Sequence, residues 1–127
     1  MRKSIIAAAV LAAGVSTVVT VAPAQAATYD GRCDSGEVCV YENRGFQGGM
    51  ADFDGDVNDY RSFSFVGVPW VSLNDNASSL INKANWIPVY LFEHANQSGR
   101  LLTRVGPGDV QDQMAYDNQA SSHAFRI

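Results

Sequence analysis

An all-β domain of two similar four-strand units packed face to face is the fold that three features of the sequence predict. Apolar residues alternate with polar ones in short runs, the period-2 signal of half-buried strands, and no segment after residue 26 reads as a convincing amphipathic helix. Clusters of Gly, Asn and Asp punctuate those runs at the close spacing of a sandwich or barrel. The pattern also repeats, and a unit with one apolar face can bury it only against a second such unit.

In chain order, residues 1–26 stand apart from that fold. "MRKS" gives a positive start, "IIAAAVLAAGVSTVVTVA" an apolar run, and Ala24-Gln25-Ala26 a small-x-small cleavage site. Together they predict a secretory signal peptide cut after Ala26 and a secreted product, residues 27–127. The alternative is a membrane anchor, which the Ala-rich composition, the Pro23 break and the cleavage site disfavour. Cys33 and Cys39 follow in "CDSGEVC", around an Asp-Ser-Gly turn. In an oxidising compartment they predict a local disulfide, since a redox or metal pair would prefer the closer CxxC spacing. Closing so short a loop is worth about 2 kcal/mol in the chain-entropy model.

Strands are expected at residues 37–42, 49–53, 62–67 and 78–84 in the first unit, which spans about 33–84. In the second unit, about 85–127, they are expected at 87–93, 100–105 and 121–127, with one more that is less obvious. "GDVQDQMAY" has room for one short helical turn. The connections "ENRGFQGG", "DGDVND", "NDN", "ANQSG" and "GPGD" carry turn chemistry.

After residue 26 the chain keeps 7 basic residues against 13 acidic ones, a net charge of −6, with no Lys/Arg cluster. That disfavours nucleic-acid or anionic-membrane partners. Catalytic signatures are missing too: there is no Gly-x-Ser-x-Gly elbow, His-Glu-x-x-His pair or phosphate-cradling loop, so no enzyme activity is expected. His94 and His123 show no ligand spacing and are expected at the surface or a strand edge. The acidic run "DFDGDVND" has its glycine and its twelfth residue, Phe63, wrong for an EF-hand and reads as a solvated loop.

The repeat is explicit in two places. "VYENRGFQGG" pairs with "LFEHANQSGR" at an offset of 51, and "NDNASS" (74–79) with "DNQASS" (117–122) at an offset of 43. The first unit therefore holds about eight extra residues between its hairpin and its oxygen-rich turn. Gly48 and Gly99 suit a hairpin folded back on itself, where positive φ or close backbone approach excludes a Cβ. Tyr41, Phe46 and Phe92 are expected to pack.

Tyr41-x4-Phe46-x-Gly48 resembles the Greek-key signature of the βγ-crystallin superfamily, with Phe92-x6-Gly99 as its second copy. Gln97 departs from the pattern, standing where an aromatic is usual. The two six-residue turns are similar to the [Asn/Asp]-[Asn/Asp]-x-x-[Ser/Thr]-Ser motif of the calcium-binding microbial members. The resemblance implies a sandwich of two Greek keys, and it gives Ser79 and Ser122 the structural task of bonding the folded hairpins. It also implies two calcium ions, held by carbonyls of Glu42, Glu93, Asn76 and Gln119 and by side-chain oxygens of Asp75, Asn118, Ser78 and Ser121. Asn74 and Asp117 would bridge or orient the loops. The chemistry agrees: calcium takes six to eight hard oxygen ligands, and the turns offer oxygens and no soft ligand. With Asn118 neutral where Asp75 is charged, the two sites are expected to differ in affinity.

Three functions follow as expectations. The first is a secreted calcium-binding module. The second is a peptidase inhibitor directed at an extracellular protease, because Cys33-x5-Cys39-Val40-Tyr41 also resembles secreted microbial metalloproteinase inhibitors of this fold. Those inhibitors hold their reactive loop within a second disulfide, for which this chain has no cysteines. The third, an antimicrobial toxin, rests on fold relatives alone.

Overall fold

The computed structural model describes residues 28–127, so the expected signal peptide, residues 1–26, lies outside the described residues. The alternating runs form two main antiparallel sheets and a small hairpin. In the first sheet β1 (Val38–Asn43) pairs on one side with β2 (Gln47–Phe53) and on the other with β5 (Ser79–Asn82). In the second, β6 (Val89–His94) lies between β7 (Ser98–Val105) and β9 (Ser122–Phe125).

Each half also lends a segment to the other's sheet. The short β8 (Val110–Gln111), the less obvious strand of the second half, pairs with β5 of the first sheet. In return Val57 bridges His123 on β9, through Val57 N–H to the His123 carbonyl (3.1 Å) and the reverse bond (3.0 Å). This exchange makes the two halves one cooperative unit with a shared core, as expected of faces that cannot be buried alone.

The exchange changes the place of the strand expected at residues 62–67. The first half's third Greek-key segment is Val57, inside the acidic run read as a loop. The strand expected at residues 62–67 forms, shortened to β3 (Ser64–Phe65), but it pairs with β4 (Val68–Ser72) in a hairpin joined to the edge of β2 by a Met50–Val66 bridge. That hairpin accounts for the extra residues of the first half. The helical turn expected near residues 108–116 is likewise replaced by β8 and a plain turn, while a single 3-10 turn forms at Tyr60–Ser62. Asp59 caps it by accepting the Arg61 N–H, the local bond that makes Asp a favoured N-cap.

The core lies between the sheets. Val38, Val40 and Phe53 meet Val89, Leu91, Leu102 and Val105, and Leu73, Ala77, Met114 and Ala120 close the end where the oxygen-rich turns lie. Asn82 is wholly buried where the first half ends. Its amide donates to the carbonyls of Ile87 (2.9 Å) and Val105 (3.1 Å), and its oxygen accepts the Ala84 N–H (3.0 Å). Those bonds tie the connection between the halves to both of them.

Candidate functional site

The folded hairpins set the stage. Ser79 donates to the Asn43 carbonyl (2.6 Å) and accepts the Phe46 N–H (3.1 Å). Ser122 repeats this with the His94 carbonyl (2.7 Å) and the Gln97 N–H (3.1 Å). Both serines are fully buried, and each holds a hairpin end folded over its sheet. Gly48 and Gly99 take φ of +81° and +77°, and a Cβ on either would lie 2.5 Å from the Asn43 or His94 side chain. Only glycine fits there.

The two aromatic positions differ. In the first hairpin Phe46 meets Tyr41 edge-on, with centroids 5.7 Å apart. In the second, Gln97 replaces the aromatic with a polar clamp, its amide donating to the His123 carbonyl (3.0 Å) and the Val57 carbonyl (3.2 Å). Gln97 thus fastens the hairpin to the segment borrowed from the first half.

The repeated turns face each other at one end of the sandwich. The Asp75 N–H donates to the Ala120 carbonyl (3.0 Å) and the Asn118 N–H to the Ala77 carbonyl (3.1 Å), a reciprocal pair related by the offset of the repeat. Asp75 and Asn118 both adopt the left-handed conformation, at φ +60° and +59°, which Asx residues tolerate better than most. Their side chains are thereby thrown across to the opposite turn. Ser78 Oγ lies 3.3 Å from Asn118 Oδ1, and Ser121 Oγ lies 3.4 Å from Asp75 Oδ1.

Two polar clefts result, each drawing on both halves. One is lined by Glu42, Asn43 and Arg44 of the first hairpin with Asn76, Ser78, Asp117 and Asn118. The other is lined by Glu93 and His94 of the second hairpin with Asp75, Asn118, Gln119 and Ser121. All eight residues expected from the sequence therefore line one or the other cleft. The donors are oxygens throughout apart from His94, which suits a hard cation. Asn74 and Asp117 each carry a buried side-chain oxygen, Oδ1, with no hydrogen-bond partner, the kind of orphan acceptor a cation or its water shell would satisfy.

Each cleft also has a basic neighbour that the turn motif did not foretell. Arg44 lines the first. Beside the second, Arg100 donates to Glu93 Oε2 and to Gln119 Oε1, both at 3.2 Å. The Arg100 backbone N–H, with the guanidinium behind it, holds the Glu93 carboxyl below the usual carboxylate range.

Other expectations need correction. His94 is exposed as expected, but His123 is completely buried, with Nδ1 2.7 Å from the Tyr60 hydroxyl and Nε2 2.8 Å from the Gly55 carbonyl. Nor is the acidic run a solvated loop throughout. Asp52 is buried on β2, Asp56 binds Arg126 at 2.7 Å, and Asp59 pairs with Arg61. Cys33 and Cys39 are disulfide-bonded with Cα atoms 5.7 Å apart.

A family model described as peptidase inhibitor family I36 matches residues 25–103. Among solved structures, one reported under the evolution of the eye lens βγ-crystallin domain fold superposes with a TM-score of 0.63. It is 24% identical, covering 76% of this chain and 91% of that one. A βγ-crystallin from Ciona intestinalis gives a TM-score of 0.56 at 21% identity, over 72% of this chain and all of that one. A βγ-crystallin from an archaeon gives 0.54 at 25% identity, over 73% of this chain and all of that one. A search of curated proteins finds no match. The fold is that of a βγ-crystallin domain.

Proposed function

The chain belongs to peptidase inhibitor family I36, and from that premise we propose that it is an exported peptidase inhibitor on a βγ-crystallin scaffold stabilised by two calcium ions. Neither the family nor the fold is an enzyme class, so the residues above bind and position rather than catalyse. Its disulfide accords with an oxidising, extracellular setting. The proposed domain runs over residues 27–127 after removal of the signal peptide.

The observation that carries the calcium reading is the crossed approach of Ser78 to Asn118 and of Ser121 to Asp75. One ion would take the Glu42 and Asn76 carbonyls, Ser78 Oγ and Asn118 Oδ1. Its neighbour would take the Glu93 and Gln119 carbonyls, Ser121 Oγ and Asp75 Oδ1. Water completes each shell to six or more. A formal charge enters the second site through Asp75, whereas the first draws on Asp117 at its wall, so the two differ in affinity. At free calcium about 100-fold above the dissociation constant, each site adds about 2.7 kcal/mol of stability. In a domain of this size that raises the melting temperature by about 10–20 °C. Equal melts in millimolar calcium and in chelator would contradict the reading.

Inhibition requires a rigid, exposed segment that a protease can bind but cleaves slowly, and rigidity lowers the ordering penalty of binding. The β3–β4 hairpin meets that need without a second disulfide. Its own ladder, the Met50–Val66 bridge and the Ser64 hydroxyl on the Pro69 carbonyl (3.1 Å) hold it, while Trp70 stands 80% exposed on it. Titration against a thermolysin-like metalloprotease and a subtilisin-like serine protease tests the proposal. One-to-one inhibition of either supports it, and no inhibition of a broader protease panel refutes it.

A further inference from the structure

Beneath the N-terminal arm, on the outer face of the first sheet, three carboxyl groups that line neither turn cleft converge. Asp52 sits opposite Cys39 in the β1–β2 ladder, facing away from the core that Val38, Val40 and Phe53 line. The arm folds over it: the Asp30 and Gly31 N–H groups donate to its two carboxylate oxygens at 3.0 and 2.8 Å. The disulfide loop then delivers Glu37 to the same spot. One oxygen from each of Asp30, Glu37 and Asp52 lies within 4.8 Å of the others. Glu37 and Asp52 are completely buried and Asp30 opens to solvent.

A second observation points to what belongs there. Glu37 Oε1 accepts the Asp34 N–H at 2.7 Å, but Glu37 Oε2 is buried with no hydrogen-bond partner. A buried, unpartnered carboxylate oxygen carries a full desolvation penalty unless a cation or a proton compensates it. The nearby cations are few: Arg32 is exposed and stands 3.9 Å from Asp30 and 3.7 Å from Asp34, and Lys83 is engaged by the Cys33 carbonyl. Burial pushes the Glu37 carboxyl up to about 7, and the charge of Asp52 adds to the shift.

We propose that Asp30, Glu37 and Asp52 form a third divalent-cation site, of the calcium type, separate from the two turn clefts. Oxygens 2.3–2.6 Å from a calcium ion lie within about 5 Å of one another, a span the three observed oxygens fit. Burial raises the Asp52 and Glu37 carboxyls despite the backbone N–H bonds that both Asp52 oxygens and Glu37 Oε1 accept, and a bound cation would offset that burial. A proton shared between Glu37 and Asp52 would satisfy the same two carboxyls, and the number of ions bound distinguishes the two arrangements. An ion there clamps the arm and the disulfide loop onto β2. The open side at Asp30 gives it access.

Equilibrium dialysis with calcium, on the folded protein, counts the ions. The protein with intact turns is expected to bind three, and Glu37→Gln two. In a background carrying Asp75→Asn, Ser78→Ala and Ser121→Ala, which disables the turn clefts, one ion is expected to persist and Glu37→Gln to remove it. An unchanged count on Glu37→Gln in both backgrounds overturns the site and assigns the cluster a shared proton. If Glu37→Gln fails to fold, Asp30→Asn, at the solvent-open member, decides: at least a tenfold weaker third ion supports the site, and unchanged binding refutes it. Because the disabled background isolates the cluster, a failure of the turn clefts alone leaves a count of one that Glu37→Gln abolishes.

Discussion

Lowering the pH from 7 to 4 is expected to remove about 3 kcal/mol of stability through a single side chain, His123. Its geometry fixes the tautomer. The Gly55 carbonyl can only accept, so Nε2 carries the proton and Nδ1 accepts from the Tyr60 hydroxyl. A second proton must go on Nδ1, where it would confront the Tyr60 O–H inside a fully buried site. Burial accordingly lowers the His123 pKa from 6.5 to about 4, against the pull of Asp56 nearby. A histidine whose folded pKa lies below its unfolded value contributes its stability fully above pH 6.5, and loses it as the pH falls through about 4. Across that window the loss is about 3 kcal/mol, roughly 1.4 per pH unit.

Glu37 works in the opposite sense. Its raised pKa contributes stability below about pH 4.5 that is lost as the pH rises through about 7. The pH curve of the native protein alone therefore blends opposing slopes, with Asp52, which burial also raises, acting in the same sense as Glu37. Urea denaturation in chelator between pH 7 and 4, on the native protein and on His123→Gln, separates them. At pH 7 the variant is expected to be less stable by about 1–3 kcal/mol, since one amide cannot serve both the Gly55 carbonyl and the Tyr60 hydroxyl. Toward pH 4 the two curves converge or cross. Parallel curves would refute the reasoning, because they would mean that His123 takes up its proton equally in the folded and unfolded chains.

Ser79→Ala and Ser122→Ala each strand a hairpin N–H and a carbonyl, so each is expected to lower unfolding stability by about 1–3 kcal/mol in chelator. Ser78→Ala and Ser121→Ala each remove one long side-chain hydrogen bond, and should lower that baseline by about 0.5–1.5 kcal/mol while also reducing the gain from calcium. Asn82→Ala removes the amide bonds to the Ile87, Val105 and Gly106 carbonyls and the acceptor of the Ala84 N–H, and is expected to destabilise by about 2–4 kcal/mol in denaturant melts. Trp70→Ala, at an exposed position, is expected to leave the melt unchanged while weakening protease inhibition at least tenfold in a titration.

Much of the candidate site was legible because its signals are local. The turn motif recurs at a fixed offset, and the serines that follow it find their hairpins as the resemblance implies. Gly48 and Gly99 were legible for the same reason, since a backbone that forbids a Cβ leaves its mark at one position. The exchange of third segments was not. Val57 pairs through one bridge and lies between Asp56 and Asn58, so it shows no alternation. Residues 62–67 do alternate, yet they feed an inserted hairpin, because periodicity reports burial of a face and not the sheet that buries it. The burial of His123, Glu37 and Asp52 was equally hidden. Their partners lie on distant segments, Tyr60 for His123 and the N-terminal arm for Asp52, and charge patterning along the chain cannot see across the fold.

The facing of the two turns as halves of shared cation sites is tested most directly by anomalous difference density from crystals grown in millimolar calcium. Two peaks are predicted at that end of the sandwich, one between Ser78 and Asn118 and one between Ser121 and Asp75. Well-ordered turns with water alone in both clefts would contradict it.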